Sequence, residues 1–94
     1  MKAYEVLEQK ELCKGTFARD ANGKPVSVYS PIACSFCAAG AIRRAYLDTM
    51  EESQKISLVG SHVLKLYNIT LAMWNDKPDT TKAQVVSLLK ELDV

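Results

Sequence analysis

The alternation of apolar and polar positions divides the chain into helical stretches and one β-prone insert. From Lys2 to Lys14 there is no Pro or Gly, and Ala3, Val6, Leu7 and Cys13 recur at roughly helical spacing among Glu and Lys. Gly15 follows at a usual helix-stop position. This predicts a first helix over residues 2–14. The pattern then changes. Thr16-Phe17-Ala18-Arg19 and Pro25-Val26-Ser27-Val28-Tyr29 are short β-prone runs on either side of Asp20-Ala21-Asn22-Gly23. Asn-Gly is a strong turn signal because both residues tolerate positive φ. A small hairpin or ordered loop is predicted, with Pro25 confining its second run to an edge.

The most apolar stretch is 33–48, and its alanines favour a helix that should lie at the centre of the fold. Cys37, Gly40, Ala41 and Ala45 give that helix one face of very small side chains, which lets another backbone, or a second copy, come close. A further helix is predicted over 53–67 from the stripe Ile56, Val59, Val63, Leu66 and Tyr67, with Gly60 as a potential break. Residues 69–74 fit a buried helical turn or a short strand. Residues 75–79 read as a turn. Thr81-x-x-Gln84 is a capping-box pattern that opens a last helix with Val85, Leu88, Leu89 and Leu92 on its buried face. The expected fold is mainly α: about four helices, with a small β-hairpin or ordered loop after the first.

Composition narrows the setting. Ninety-four residues make one domain, 1–94, able to bury about 60–70% of its unfolded surface. Apolar residues at 48% and charged residues at 24% exclude a disordered or low-complexity chain. A net charge of +1 argues against a nucleic-acid partner, since a dedicated clamp of this size is far more basic. No apolar run is long enough to cross a bilayer. The polar start, Met1 to Glu5, lacks a signal-peptide core, so a cytoplasmic location without a membrane partner is expected.

Four groups of residues carry candidate chemistry. Cys34 and Cys37 form Cys-x-x-Cys at a helix start, where a lowered thiol pKa and a redox pair are one reading. Cys13, Cys34, Cys37 and His62 have the ligand types of a structural zinc site. The competing reading, which is preferred, is that the cysteines pack as small hydrophobes and that no cofactor is needed. Cys37, His62 and Asn75 or Asp76 supply the residue types of a Cys–His–Asn hydrolase, with Asn75 and Asp76 lining a pocket beside Cys37. Trp74-Asn75-Asp76 is equally well explained by a core anchor followed by turn chemistry. Asp20-Ala21-Asn22-Gly23 lacks the spacing of a calcium loop. Finally, Arg19, Lys24, Arg43 and Arg44, with Tyr46 and Tyr29 for stacking, are candidates to surround a phosphate or an acidic surface. Asp48, Glu51 and Glu52 would neutralise the arginine pair locally.

Three ordered patterns resemble a known family. They are Phe17-Ala18-Arg19-Asp20-Ala21-Asn22-Gly23-Lys24-Pro25-Val26, then Phe36-Cys37-Ala38-Ala39-Gly40-Ala41-Ile42, then Trp74-Asn75-Asp76 with Thr80, Thr81 and Val85. The set resembles an uncharacterised small-domain family of actinobacterial and bacteriophage proteins with the pattern A-R-D-x-x-G-x-P-V, W-C-A-x-G-A and W-N-D. Phe36 stands where that pattern has Trp, and Cys34 adds a Cys-x-x-Cys that the pattern does not require. The resemblance implies a phage or bacterial setting and supplies no chemistry. Taken together, the expectation is a non-enzymatic binding module. Its partner would be a host protein or a small anionic, nucleotide-like ligand, by analogy in counter-defence. Self-association is compatible with the small-residue face. The alternatives are a small Cys-dependent enzyme and a zinc-stapled domain.

Overall fold

A computed structural model describes residues 1–47 and 49–94. The order of elements is α1 (Ala3–Gln9), β1 (Glu11–Leu12), β2 (Ala18–Arg19), β3 (Ser35–Phe36), α2 (Ala38–Tyr46), α3 (Met50–Tyr67), α4 (Leu71–Asp76) and α5 (Lys82–Glu91). The fold is mainly α with a small β insertion, as the pattern predicts, and has five helices among the described residues rather than four.

The differences are tertiary in origin. The first helix stops at Gln9, five residues short of Lys14, because Glu11 and Leu12 leave it to pair in parallel with Ser35 and Phe36. Strand pairing here overrides a helix-favouring composition. Gly15 then serves a turn, with φ +81°, rather than a helix end. In the same way Ser35-Phe36 is drawn into the sheet, so the central helix begins at Ala38 instead of residue 33. The sheet order is β1-β3-β2, with β2 antiparallel to β3. The predicted hairpin is reduced to β2 and a bridge between Arg19 and Pro25. Its turn is tied by Asp20 Oδ1, which accepts from the amides of Asn22 and Lys24. The helix predicted from 53 starts at Met50 and runs unbroken through Gly60. A single interior glycine costs roughly 1 kcal/mol, too little to break 18 residues. Residues 71–76 are a helix, so Asn75 and Asp76 form its last turn rather than the predicted loop. The capping box at Thr81 and Gln84 is formed.

Helix α2 is the hub. Ala38, Ala41 and Ile42 pack with Ala3, Val6 and Leu7 of α1, Val59 and Val63 of α3, and Leu71 and Trp74 of α4 in one buried cluster. Val85, Leu88 and Leu89 add α5 to it. The small-residue face of α2 does what its side chains allow, within the chain. A Cβ on Gly40 would stand 2.0 Å from the Phe17 carbonyl oxygen, so only glycine lets the 15–17 loop lie against the helix. No helix among the described residues is long and apolar enough to cross a membrane.

Candidate functional site

The junction between β1, α2 and α4 is held by one buried side chain. Asn75, 2% exposed, accepts the Ala38 amide on Oδ1 at 2.9 Å. Its Nδ2 donates to the Cys13 carbonyl at 3.0 Å and to Asp76 Oδ1 at 3.1 Å. One amide therefore fastens the end of β1 and the first turn of α2 to the end of α4. Asp76 extends the network: its Oδ1 also accepts the Gly15 amide at 3.0 Å. Two donors fix Oδ1. Oδ2 has no hydrogen-bond or ion-pair partner among the described residues.

Cys37 caps α2. Its Sγ accepts the Gly40 amide at 3.2 Å, and its carbonyl accepts Ala41 N–H. The amides of Ala38, Gly40 and Ala41 are all satisfied within the protein. Burial pushes the Cys37 thiol above its ordinary pKa, against the opposing pull of the Gly40 amide. The lowered pKa expected of a cysteine at a helix start is thus reversed: desolvation of the thiolate outweighs the helix end.

These groups wall a cleft of about 190 Å³. Phe17, Ala39, Leu71 and Ala72 give it an apolar lining; Cys37, Asn75, Asp76, Gly15 and Thr16 complete it. An engineered apolar cavity of about 150 Å³ holds a benzene molecule, so the space here suits a group the size of one side chain. The lining contains no Lys, Arg or His.

The pairing of Asn75 and Asp76 with Cys37 at one pocket is the arrangement that the catalytic alternative required. Its base is elsewhere. His62 lies on α3, is not part of the lining, and its buried Nε2 makes no hydrogen bond among the described residues. The other cysteines do not complete a zinc site: no group of three or more His, Cys, Asp or Glu comes together among the described residues. Cys34 is exposed, Cys13 is buried, and all three thiols are free. The extended strand between Cys34 and Cys37 separates their Cα atoms by roughly 10 Å, beyond disulfide reach.

Of the predicted anion-binding residues, the half-buried Arg19, Arg43, Arg44 and Tyr46 are engaged within the protein, whereas the Lys24 side chain has no partner among the described residues. Arg19 donates to the carbonyls of Gly23 and Lys14, both at 2.8 Å. Arg44 donates to Val28 and Ser30 carbonyls at 2.8 and 3.2 Å and lies over the Phe36 ring. Arg43 pairs with Glu52 at 3.0 Å and covers the Phe17 ring. Tyr46 donates to Val94 O, Lys24 is exposed at the turn, and Tyr29 is half-exposed. Glu52 is thus a neutralising partner as expected. Asp48, named with it and Glu51, lies outside the described residues.

A family model described as a family of unknown function, DUF6197, matches residues 1–92. The chain belongs to DUF6197. No curated protein and no solved structure is similar to it. In this DUF6197 chain the residues missed by sequence reasoning are Gly15, Thr16, Phe17, Ala39, Leu71 and Ala72. Gly15 reads as a helix stop and Phe17 as a strand residue; the clue available was the small face of α2, which requires some backbone to pack there.

Proposed function

We propose that the protein is a non-enzymatic binding module and that the cleft at Cys37, Asn75 and Asp76 receives one side chain of a protein partner. The observation that carries this reading is a side-chain-sized, mostly apolar cleft whose walls are pinned by the Asn75 hydrogen bonds. Small pockets with few fixed polar groups are the usual form of a recognition site. The Cys37 thiol at the cleft is pushed up by burial and has no imidazole in the lining to take its proton, which favours a wall over a nucleophile. A small anionic ligand is the weaker reading, because Arg19, Arg43 and Arg44 are committed to carbonyls and to Glu52. A phage or bacterial origin and a counter-defence role rest on the resemblance alone.

Titration with side-chain analogues (p-cresol, 1-butanol and butyrate) tests the reading through backbone amide shifts. Apolar probes are expected to move the signals of Gly15, Phe17, Ala39 and Ala72. If none of them moves these amides, the cleft is not a binding site.

A further inference from the structure

On the reading of the cleft as a partner site, we infer that the side chain it selects is a lysine. Its aliphatic stem lies along Phe17, Ala39, Leu71 and Ala72, and its ammonium meets Asp76 Oδ2. The polar groups at the cleft decide the sign of the charge it accepts. A helix start beside a glycine ordinarily welcomes an anion through unsatisfied amides. Here three of those donors are spent, Ala38 N–H on Asn75, Gly40 N–H on Cys37 Sγ and Ala41 N–H on the Cys37 carbonyl, and the Ala39 amide lies by the same Cys37 Sγ. Gly15 N–H is spent on Asp76.

Of the one charged side chain in the lining, Asp76, the oxygen Oδ2 has no partner among the described residues. The lining holds no cation to neutralise it. Lys14 and Lys77 flank the lining in sequence: Lys14 donates to the Lys77 and Thr80 carbonyls, and Lys77 makes no ion pair with Asp76 among the described residues. An anionic group entering the cleft would meet this carboxylate with no Lys, Arg or His in the lining to offset it.

The same hydrogen bonds distinguish lysine from arginine. A guanidinium favours two parallel bonds to the two oxygens of one carboxylate. Asp76 Oδ1 already accepts from Gly15 and Asn75, so a single oxygen remains, which suits a compact ammonium. Length also fits: a four-carbon stem fills a cavity of benzene-like size.

The test compares butylammonium, 1-butanol and butyrate on the intact protein, together with Nα-acetyl-lysine methylamide, all read by amide shifts. Butylammonium should bind roughly three- to five-fold more tightly than 1-butanol, as an exposed ion pair allows. Butyrate should bind most weakly, and the ammonium preference should shrink in high salt. Asp76→Asn keeps an acceptor for Gly15, and in it the ratio of butylammonium to 1-butanol affinity should fall to about one, whatever the change in 1-butanol binding itself; an unchanged ratio would overturn the inference. If 1-butanol and butylammonium bind equally in the native protein, the lysine inference fails and the apolar binding site stands. If no probe moves the cleft amides, both fail. Binding of butylammonium without binding of the blocked lysine would identify a free amine as the occupant and overturn the partner side chain.

Discussion

Two polar regions of this molecule use their side chains in opposite ways. On the side formed by the β2 turn and α2, Arg19 and Arg44 reach inward to backbone carbonyls of loops that have few other partners. Their charge serves the fold. At the start of α2, Asn75 does the corresponding structural work with a neutral amide, and this leaves the Asp76 carboxylate half unoccupied beside an apolar cleft. The sequence shows more conspicuous charge in the first region, and the structure offers the better binding geometry in the second. Formal charge marks a site only where the charged group is not already answered by its own backbone.

Substitutions separate the two regions, beginning with the walls of the cleft. Gly40→Ala places a methyl against the Phe17 carbonyl and should cost about 3 kcal/mol in urea unfolding, with the 15–17 loop displaced. A loss below about 1 kcal/mol would mean that the loop is free to move and that the cleft is not rigid. Asn75→Ala leaves a buried amide and a buried carbonyl unpaired and should cost about 2–3 kcal/mol. On the basic side, Arg44→Met should cost only about 1 kcal/mol, since the guanidinium is partly exposed and water can replace it at the Val28 and Ser30 carbonyls. Lys24→Ala should leave the melting temperature unchanged.

The cleft thiol also gives a pH dependence. Burial raises the pKa of Cys37 in the folded chain, so the folded state holds the proton longer than the unfolded state. The associated stability is fully present below the unfolded thiol value, roughly pH 8.5, and declines as pH rises through the higher folded value. Cys13 contributes in the same direction, also through burial. Urea midpoints between pH 8 and 10 should therefore fall. Cys37→Ser, which retains a cap acceptor for Gly40, should make that fall shallower; an unchanged slope would show that the thiol titrates as in water.

The helices were legible where their periodicity was undisturbed. The α5 capping box comes through at residue level because local hydrogen bonds favour it, and the α3 stripe only in part: Val59 and Val63 are buried, whereas Leu66 and Tyr67 at its end are exposed. Residues 10–14 and 34–37 were not legible, since their state depends on a parallel pairing across 24 positions that no local pattern encodes. The cleft was half visible. Cys37, Asn75 and Asp76 stood out by residue type, and their grouping was foreseen as one of two readings. Gly15, Phe17, Leu71 and Ala72 could not be chosen, because nothing in their own chemistry separates a cleft wall from an ordinary core or turn residue.

Alkylation of the native protein by iodoacetamide at pH 7.5, resolved by cysteine and repeated with Nα-acetyl-lysine methylamide, tests the central claim most directly. Exposed Cys34 should react roughly tenfold or more faster than Cys37, whose thiol is kept protonated by burial. The blocked lysine should slow Cys37 further and leave Cys34 unchanged. A Cys37 that reacts faster than Cys34, or at a rate indifferent to the lysine, would contradict an occupied binding cleft with the thiol as one of its walls.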